Sequence, residues 1–178
     1  MGLDYLNLDA TTRGLMDAEI DRDITGGTLY LSDNLSPAGM AAYPGLLKSA
    51  AVDGSDDSLA VALRPLLNSH EKPRQLKSGG VSVPPVMRNN AHELLGEGEF
   101  NRFYMRALCL RAIQGGGGAA TVEVYRAKQV QHARSASAAK IGTRVSAQAL
   151  LDDLRTHPGI DTALGLPPGP NSGLSVKL

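Results

Sequence analysis

Five stretches of the chain read as helices and two alternate as strands. In residues 9–24, Leu15, Met16, Ile20 and Ile24 recur near a 3.6-residue period, acids crowd the other face, and Asp9 is placed to cap the first turn. Gly26 and Gly27 end this acidic helix. Residues 28–32 (Thr-Leu-Tyr-Leu-Ser) alternate and are rich in β-formers, which predicts a short strand before the Asp33-Asn34 turn. Ser36 followed by Pro37 starts a second helix: the hydroxyl caps free N–H groups, and a proline at the first helical position has none to lose. It runs towards Ala50, with Pro44 expected to kink it or split it at Tyr43. Asp53, Asp56 and Asp57 belong to a polar turn. Leu59, Ala62, Leu63, Leu66 and Leu67 then form a third short helix, interrupted at Pro65.

The strongest helix is predicted from Glu97 or Glu99 to Gln114. Phe100, Phe103, Tyr104, Ala107, Leu108 and Arg111 share one stripe, and both phenylalanines of the chain lie here. Arg102 and Arg106, spaced i, i+4, project together on another face. That basic face has three readings: pairing with the acidic first helix, contact with a neighbouring subunit, or contact with nucleic acid. After four glycines at 115–118, residues 121–125 (Thr-Val-Glu-Val-Tyr) alternate as a strand. Residues 128–143 are polar and read as an exposed excursion, and Ser146 caps a final helix that ends near His157-Pro158-Gly159.

Two segments support neither periodicity. Residues 68–90 hold Pro73, Pro84, Pro85, a Gly79-Gly80 pair and the bases Lys72, Arg74, Lys77 and Arg88, with few large apolar groups. So long a connection is a functional loop, a basic linker, or an arm lying on a partner. Val81 and Val83 could add as a strand to another sheet edge, with the two prolines ending the pairing. From residue 161 onward Pro167, Pro168 and Pro170 forbid helix, while Leu164, Leu166, Leu174, Val176 and Leu178 offer apolar side chains at near-alternate positions. An extended C-terminal arm suited to a groove or sheet edge is expected there. The division is thus an acidic helical part (1–67), a basic linker or arm (68–90), a core of helix, strand and helix (91–160), and a C-terminal arm (161–178).

Composition adds a constraint. Aromatics are 4% of 178 residues, there is no Trp, and 20 Gly and 10 Pro describe a chain with thin core filling and many bends. A single cysteine excludes an internal disulfide, and neither an 18-residue apolar run nor a basic-then-apolar leader is present, so a protein of the cytoplasm without a membrane partner is expected. The formal charge of zero conceals a division. Residues 1–60 carry ten acids against three bases, a net of −7, and residues 61–144 carry thirteen bases against five acids, a net of +8. Such halves meet each other, within one molecule or between copies, or the basic one meets phosphate.

No residue pattern carries a reaction. The four histidines are scattered, and His92-Glu93 lacks the second histidine of a zinc-protease helix. Cys109 sits inside the aromatic helix with no cation to stabilise a thiolate. Glu97 and Glu99 would repel phosphate from the glycines beside them, and residues 115–118 lack the Lys-Ser or Lys-Thr of a phosphate loop. Neither Asp56-Asp57 nor Asp152-Asp153 opposes two carboxylates across a bond. No catalytic residue, cofactor or metal is assigned.

Segregated charge, a small helical core, the linker around Val81 to Pro85 and the arm from Gly165 to Leu178 resemble the accessory structural proteins of tailed-bacteriophage particles, of head-decoration, connector or neck type. The resemblance implies self-assembly into a ring or lattice, attachment to a capsid or portal surface, a place in the virion after assembly in the host cytoplasm, and no catalysis. The expectation is therefore an α+β fold, mostly helical with a short sheet. Its partners are expected to be copies of itself and other particle proteins, met through Arg74, Lys77, Val81, Val83, Arg102, Arg106, Leu166, Leu174, Val176 and Leu178. A nucleic-acid-binding accessory protein using the basic span 64–144 is the alternative.

Overall fold

The computed structural model describes residues 2–129, 135–158 and 173–178. Helices α1 (Ala10–Thr25), α2 (Pro37–Asp53) and α3 (Asp56–Leu63) are followed by the arm of residues 68–90 and then by α4 (Ala91–Gly116). Strand β1 (Thr121–Arg126), the short α5 (Ser135–Ala138), β2 (Arg144–Ser146), α6 (Ala147–Thr156) and β3 (Leu174–Lys177) complete the chain. The fold is α+β: α4 packs against α1, α3 and α6, and a three-stranded antiparallel sheet of order β2-β1-β3 lies beside them.

The caps that the residue types foretell are in place. Asp9 accepts from the Thr12 amide at 2.9 Å, Ser36 from Gly39 at 3.1 Å and Ser146 from Ala149 at 3.3 Å. Ser55 and Ser58 cap α3 reciprocally, side chain to backbone in both directions. Pro44 does not split α2, which continues through it to Asp53.

Three expectations are corrected. Residues 28–32 form no strand, because the Thr28 and Leu29 amides both donate to the Asp23 carbonyl and close the end of α1 after Gly27, whose φ is +65°. Helix α4 begins at Ala91, well before Glu97. Gly96 and Gly98 weaken the helical signal there, but Gly96 serves packing: a Cβ on it would stand 2.9 Å from the Ala60 amide nitrogen of α3. Residues 174–177 belong to this molecule's own sheet. Val176 pairs with Val124 and Tyr125 with Ser175, and Leu174 and Val176 are buried.

One hydrophobic cluster runs through both sides of the arm. Met16, Ile20, Tyr43, Leu47, Leu59 and Leu63 meet Phe100, Phe103, Tyr104, Leu108, Val122, Val124 and Leu151. The N-terminal segment is strapped across it. Tyr5 stacks at a tilt on Phe100 and Tyr104, the Leu3 amide donates to Asp56, and the Asp4 amide donates to the Ala127 carbonyl.

Two glycines within helices should respond oppositely to alanine. Gly96→Ala forces α3 and α4 apart and should cost roughly 1–3 kcal/mol, whereas Gly14→Ala meets open space in α1 and should add roughly 0.5–1 kcal/mol. Denaturant melts of the two variants check the sign of each. Deleting residues 174–178 removes an ordered strand and the buried Leu174 and Val176, so the truncated chain should melt well below the full chain in the same assay.

Candidate interaction surface

The i, i+4 arginines of α4 are buried. Arg106 has no solvent exposure, and Arg102 is 5% exposed. Arg106 donates from Nε to Glu19 at 2.8 Å and from Nη1 and Nη2 to the two Asp23 oxygens at 2.6 and 2.9 Å. Glu19 and Asp23, themselves i, i+4 on α1, thus meet one guanidinium bidentately. Arg155 of α6 closes the network from the other side, donating to Glu19 at 3.0 and 2.5 Å. Arg102 is paired to Glu99 on its own helix, and Glu99 also accepts from the Tyr43 hydroxyl at 3.4 Å. Both guanidinium carbons lie over the Phe103 ring, at 5.0 Å for Arg102 and 4.7 Å for Arg106. Of the three readings of this basic face, pairing with the first helix is realised for Arg106, in the interior and not in solvent, while Arg102 pairs within α4. As surface contacts for a partner, Arg102 and Arg106 are corrected.

The acids respond to this surrounding in a definite direction. Burial pushes the Glu19 carboxyl up, but hydrogen bonds and charge from Arg155 and Arg106 outweigh it and hold it below its ordinary value. The same balance, with Arg106 as the main cation, lowers Asp23. Cys109 is fully buried, and burial pushes its thiol up to about 12, which keeps it protonated at neutral pH.

The arm of residues 68–90 carries four of the exposed large apolar side chains, others being scattered singly, as at Leu6, Val52 and Val61. It folds back on itself: Gln75 bridges Val81, His70 bridges Val86, the Ser82 amide donates to the Arg74 carbonyl and the Glu71 amide to the Pro85 carbonyl. Gly79 and Gly80, with φ of +82° and +86°, make the turn at the tip. Val81 therefore bridges Gln75 within its own arm, and Val83 beyond it stays exposed. Glu71 secures the base, accepting from Arg88 at 2.6 Å and Arg74 at 3.1 Å, and these arginines hold its carboxyl below the usual range. Val83 is 87% exposed, Val86 73%, Val81 56% and Leu76 47%. Lys77 at the tip is exposed.

Of the C-terminal residues expected to meet a partner, Leu174 and Val176 are interior and are corrected; their alternation serves the strand beside β1. Leu178 is 44% exposed, with its amide on the Asn7 side chain at 3.2 Å, and Leu166 lies outside the described residues. The outer side of β3 is covered at Leu174, whose carbonyl accepts from Asn101 at 2.9 Å.

A second surface feature escapes sequence reasoning. Leu46, Ser49, Ala50 and Asp53 on α2 and Ser58, Leu59 and Ala62 on α3 line a groove of about 280 Å³. Its only forewarning is the stripe at 46, 49, 50 and 53, which also suits a fully packed helix. Among the described residues no cluster of His, Cys, Asp and Glu could hold a metal ion, and no helix is long and apolar enough to cross a membrane. Comparison with known protein families, curated proteins and solved structures finds no match.

Replacing Arg106 by Met leaves buried Asp23 with only the half-exposed Arg22 and Glu19 with only Arg155, and should cost up to roughly 3–5 kcal/mol at neutral pH. The folded-state values of Glu19 and Asp23 are lowered, so their contribution is present above the ordinary carboxylate range, near pH 4, and fades as pH falls through the folded values. Asp56, raised chiefly by burial, acts with opposite sign. The difference between Arg106→Met and the unaltered protein should therefore shrink on acidification, because the two acids become neutral. Denaturant unfolding of both proteins at neutral and acid pH measures it.

Proposed function

We propose that the protein is a non-enzymatic structural protein that associates with copies of itself and attaches to a larger particle through the arm of residues 68–90. The observation that carries this reading is the exposure of Leu76, Val81, Val83 and Val86 on an arm held in shape by its own backbone hydrogen bonds and by the Glu71 ion pairs. Four large apolar side chains on one narrow element are costly in water, and a shaped arm loses less entropy on docking than a free chain. The resemblance to accessory proteins of phage particles suggests a virion head or neck as that larger particle.

The alternative, nucleic acid along residues 64–144, draws less support from the same geometry. Arg102 and Arg106 are interior, Arg74 and Arg88 share Glu71, Lys128 pairs with Glu97 and Lys72 with Asp33 at 2.6 Å. Arg106, Lys72 and Arg111 also pair with acids from outside the span, so part of its formal surplus is met within the molecule.

Light scattering across protein concentration and salt, with and without duplex DNA, tests both. Self-association with no gain in mass on adding DNA at low salt is expected; a steep salt-dependent rise with DNA would favour the alternative. The double variant Val83→Ser, Val86→Ser should keep the melting temperature of the unaltered monomer, since neither side chain is buried. It should weaken association by roughly tenfold or more for each valine that a contact takes out of water. Unchanged association would remove the arm from the contact.

A further inference from the structure

The groove between α2 and α3 has an apolar floor and a polar rim with one acid. Leu59 and Ala50 are nearly fully buried beneath it, Leu46 and Ala62 are half-buried along its sides, and exposed Asp53 stands at its edge. Among the described residues Asp53 makes no ion pair, unlike Asp17 and Asp21, which share Lys48. No residue of the arm lines the groove, so the chain does not fill it with its own valines. A space of about 280 Å³ equals roughly nine water volumes, room for a pair of isopropyl groups.

The arm supplies the complement. Its exposed side chains are two isolated valines, Val83 and Val86, together with Val81 and Leu76, and Lys77 at the tip has no acidic partner among the described residues. An unpaired cation beside apolar side chains thus faces the problem that the groove has with the opposite sign.

Placement on α2 decides who can meet whom. The arm is rooted at the start of that helix, where the Ser36 amide donates to the Leu66 carbonyl and the Asn68 amide to the Asn34 carbonyl. The groove lies at its other end, and Asp53 follows Ser36 by 17 residues, roughly 25 Å along the axis at ~1.5 Å per residue. Donor and acceptor are therefore two different patches set apart on one body, which lets the contact run head-to-tail from copy to copy.

We infer that the arm of one copy docks in the α2–α3 groove of the next, with Val83 and Val86 on the Leu46, Ala50, Leu59 and Ala62 floor and Lys77 beside Asp53. This rests on the self-association proposed above and names the surface that receives the arm. Because each copy both gives an arm and accepts one, the contact repeats. It closes into a ring if the rotation per copy divides a full turn and otherwise grows as a filament. The valines supply most of the affinity. The Lys77–Asp53 pair, at the rim, chiefly sets register and salt dependence.

Charge exchange between copies is the test. Lys77→Glu and Asp53→Lys should each weaken self-association roughly two- to fivefold in sedimentation or light scattering, and an equimolar mixture should recover the unaltered assembly. Recovery follows because each variant arm meets the variant groove and each native arm the native groove. A second measurement reads the apolar part: Val83→Cys mixed with Ala62→Cys should give an intermolecular disulfide under mild oxidation, while Cys109 stays buried and unreactive. Association of the unaltered protein with neither recovery nor cross-link would overturn the groove and leave the arm's role standing. A protein monomeric at every concentration would instead overturn the association on which the inference rests. Cross-linking within one copy, seen when both cysteines are placed in a single chain and the product runs as monomer, would also overturn it.

Discussion

Arg106 reaches no solvent, and a guanidinium in that position is tolerable only if its donors are met by fixed acceptors. That requirement constrains three helices at once. Glu19 and Asp23 must stand on consecutive turns of α1 facing α4, and Arg155 of α6 must stand where Glu19 can accept from it as well. A slip of one residue in α1 would turn both acids away and leave the charge unmet. Apolar contacts between these helices tolerate small adjustments, whereas the bidentate pairing of Arg106 with Asp23 does not. The ion network thus selects one packing among the several that Met16, Ile20, Phe103 and Leu108 would accept.

The price in stability of such a network is desolvation of every member, which the aromatic ring beneath it moderates. Phe103 offers its face to both arginines, so the two N–H donors of Arg102 without a hydrogen-bond partner lie beside π density rather than aliphatic carbon. A chain with no Trp and only two Phe has little aromatic surface to bury. Placing one of those rings under the ion cluster lets the same side chain serve hydrophobic core and charge compensation together.

Helices announced themselves wherever a cap and a periodic stripe coincided, as at Asp9, Ser36 and Ser146. The alternation of residues 121–125 was equally readable as β1. What escaped were features decided by tertiary contact. A strand-like composition at residues 28–32 yields to the need to close the end of α1, and Gly96 looks like a helix breaker until Ala60 is found against it. Alternation at Leu174 and Val176 was visible, but its destination was not: whether an apolar edge meets its own sheet or a neighbour's depends on where the chain returns. The same ambiguity hid the arginines. Their i, i+4 spacing marked a charged face, and the matching acids at Glu19 and Asp23 were in plain view on the first helix, yet spacing alone does not say that the two faces meet in the interior.

Charge segregation along the chain acquires a physical meaning from that meeting. Glu19 and Asp23 of the acidic first third join α1 to Arg106 of α4 and Arg155 of α6, and the arm draws its own acid, Glu71, against Arg74 and Arg88. Among the described residues, Lys77 at the arm's tip and Asp53 at the far end of α2 are two of the charged side chains that make no ion pair. The buried ion pairs fix α1, α4 and α6, and the Glu71 pairs with the arm's own backbone bonds shape the element that carries Lys77. Fixed separation between a donor and an acceptor patch is what lets a repeated contact reproduce the same rotation at every step, because any play in the body would accumulate from copy to copy. On the proposed self-association, the buried network and the exposed arm would serve one requirement: rigidity within the subunit would set the geometry between subunits.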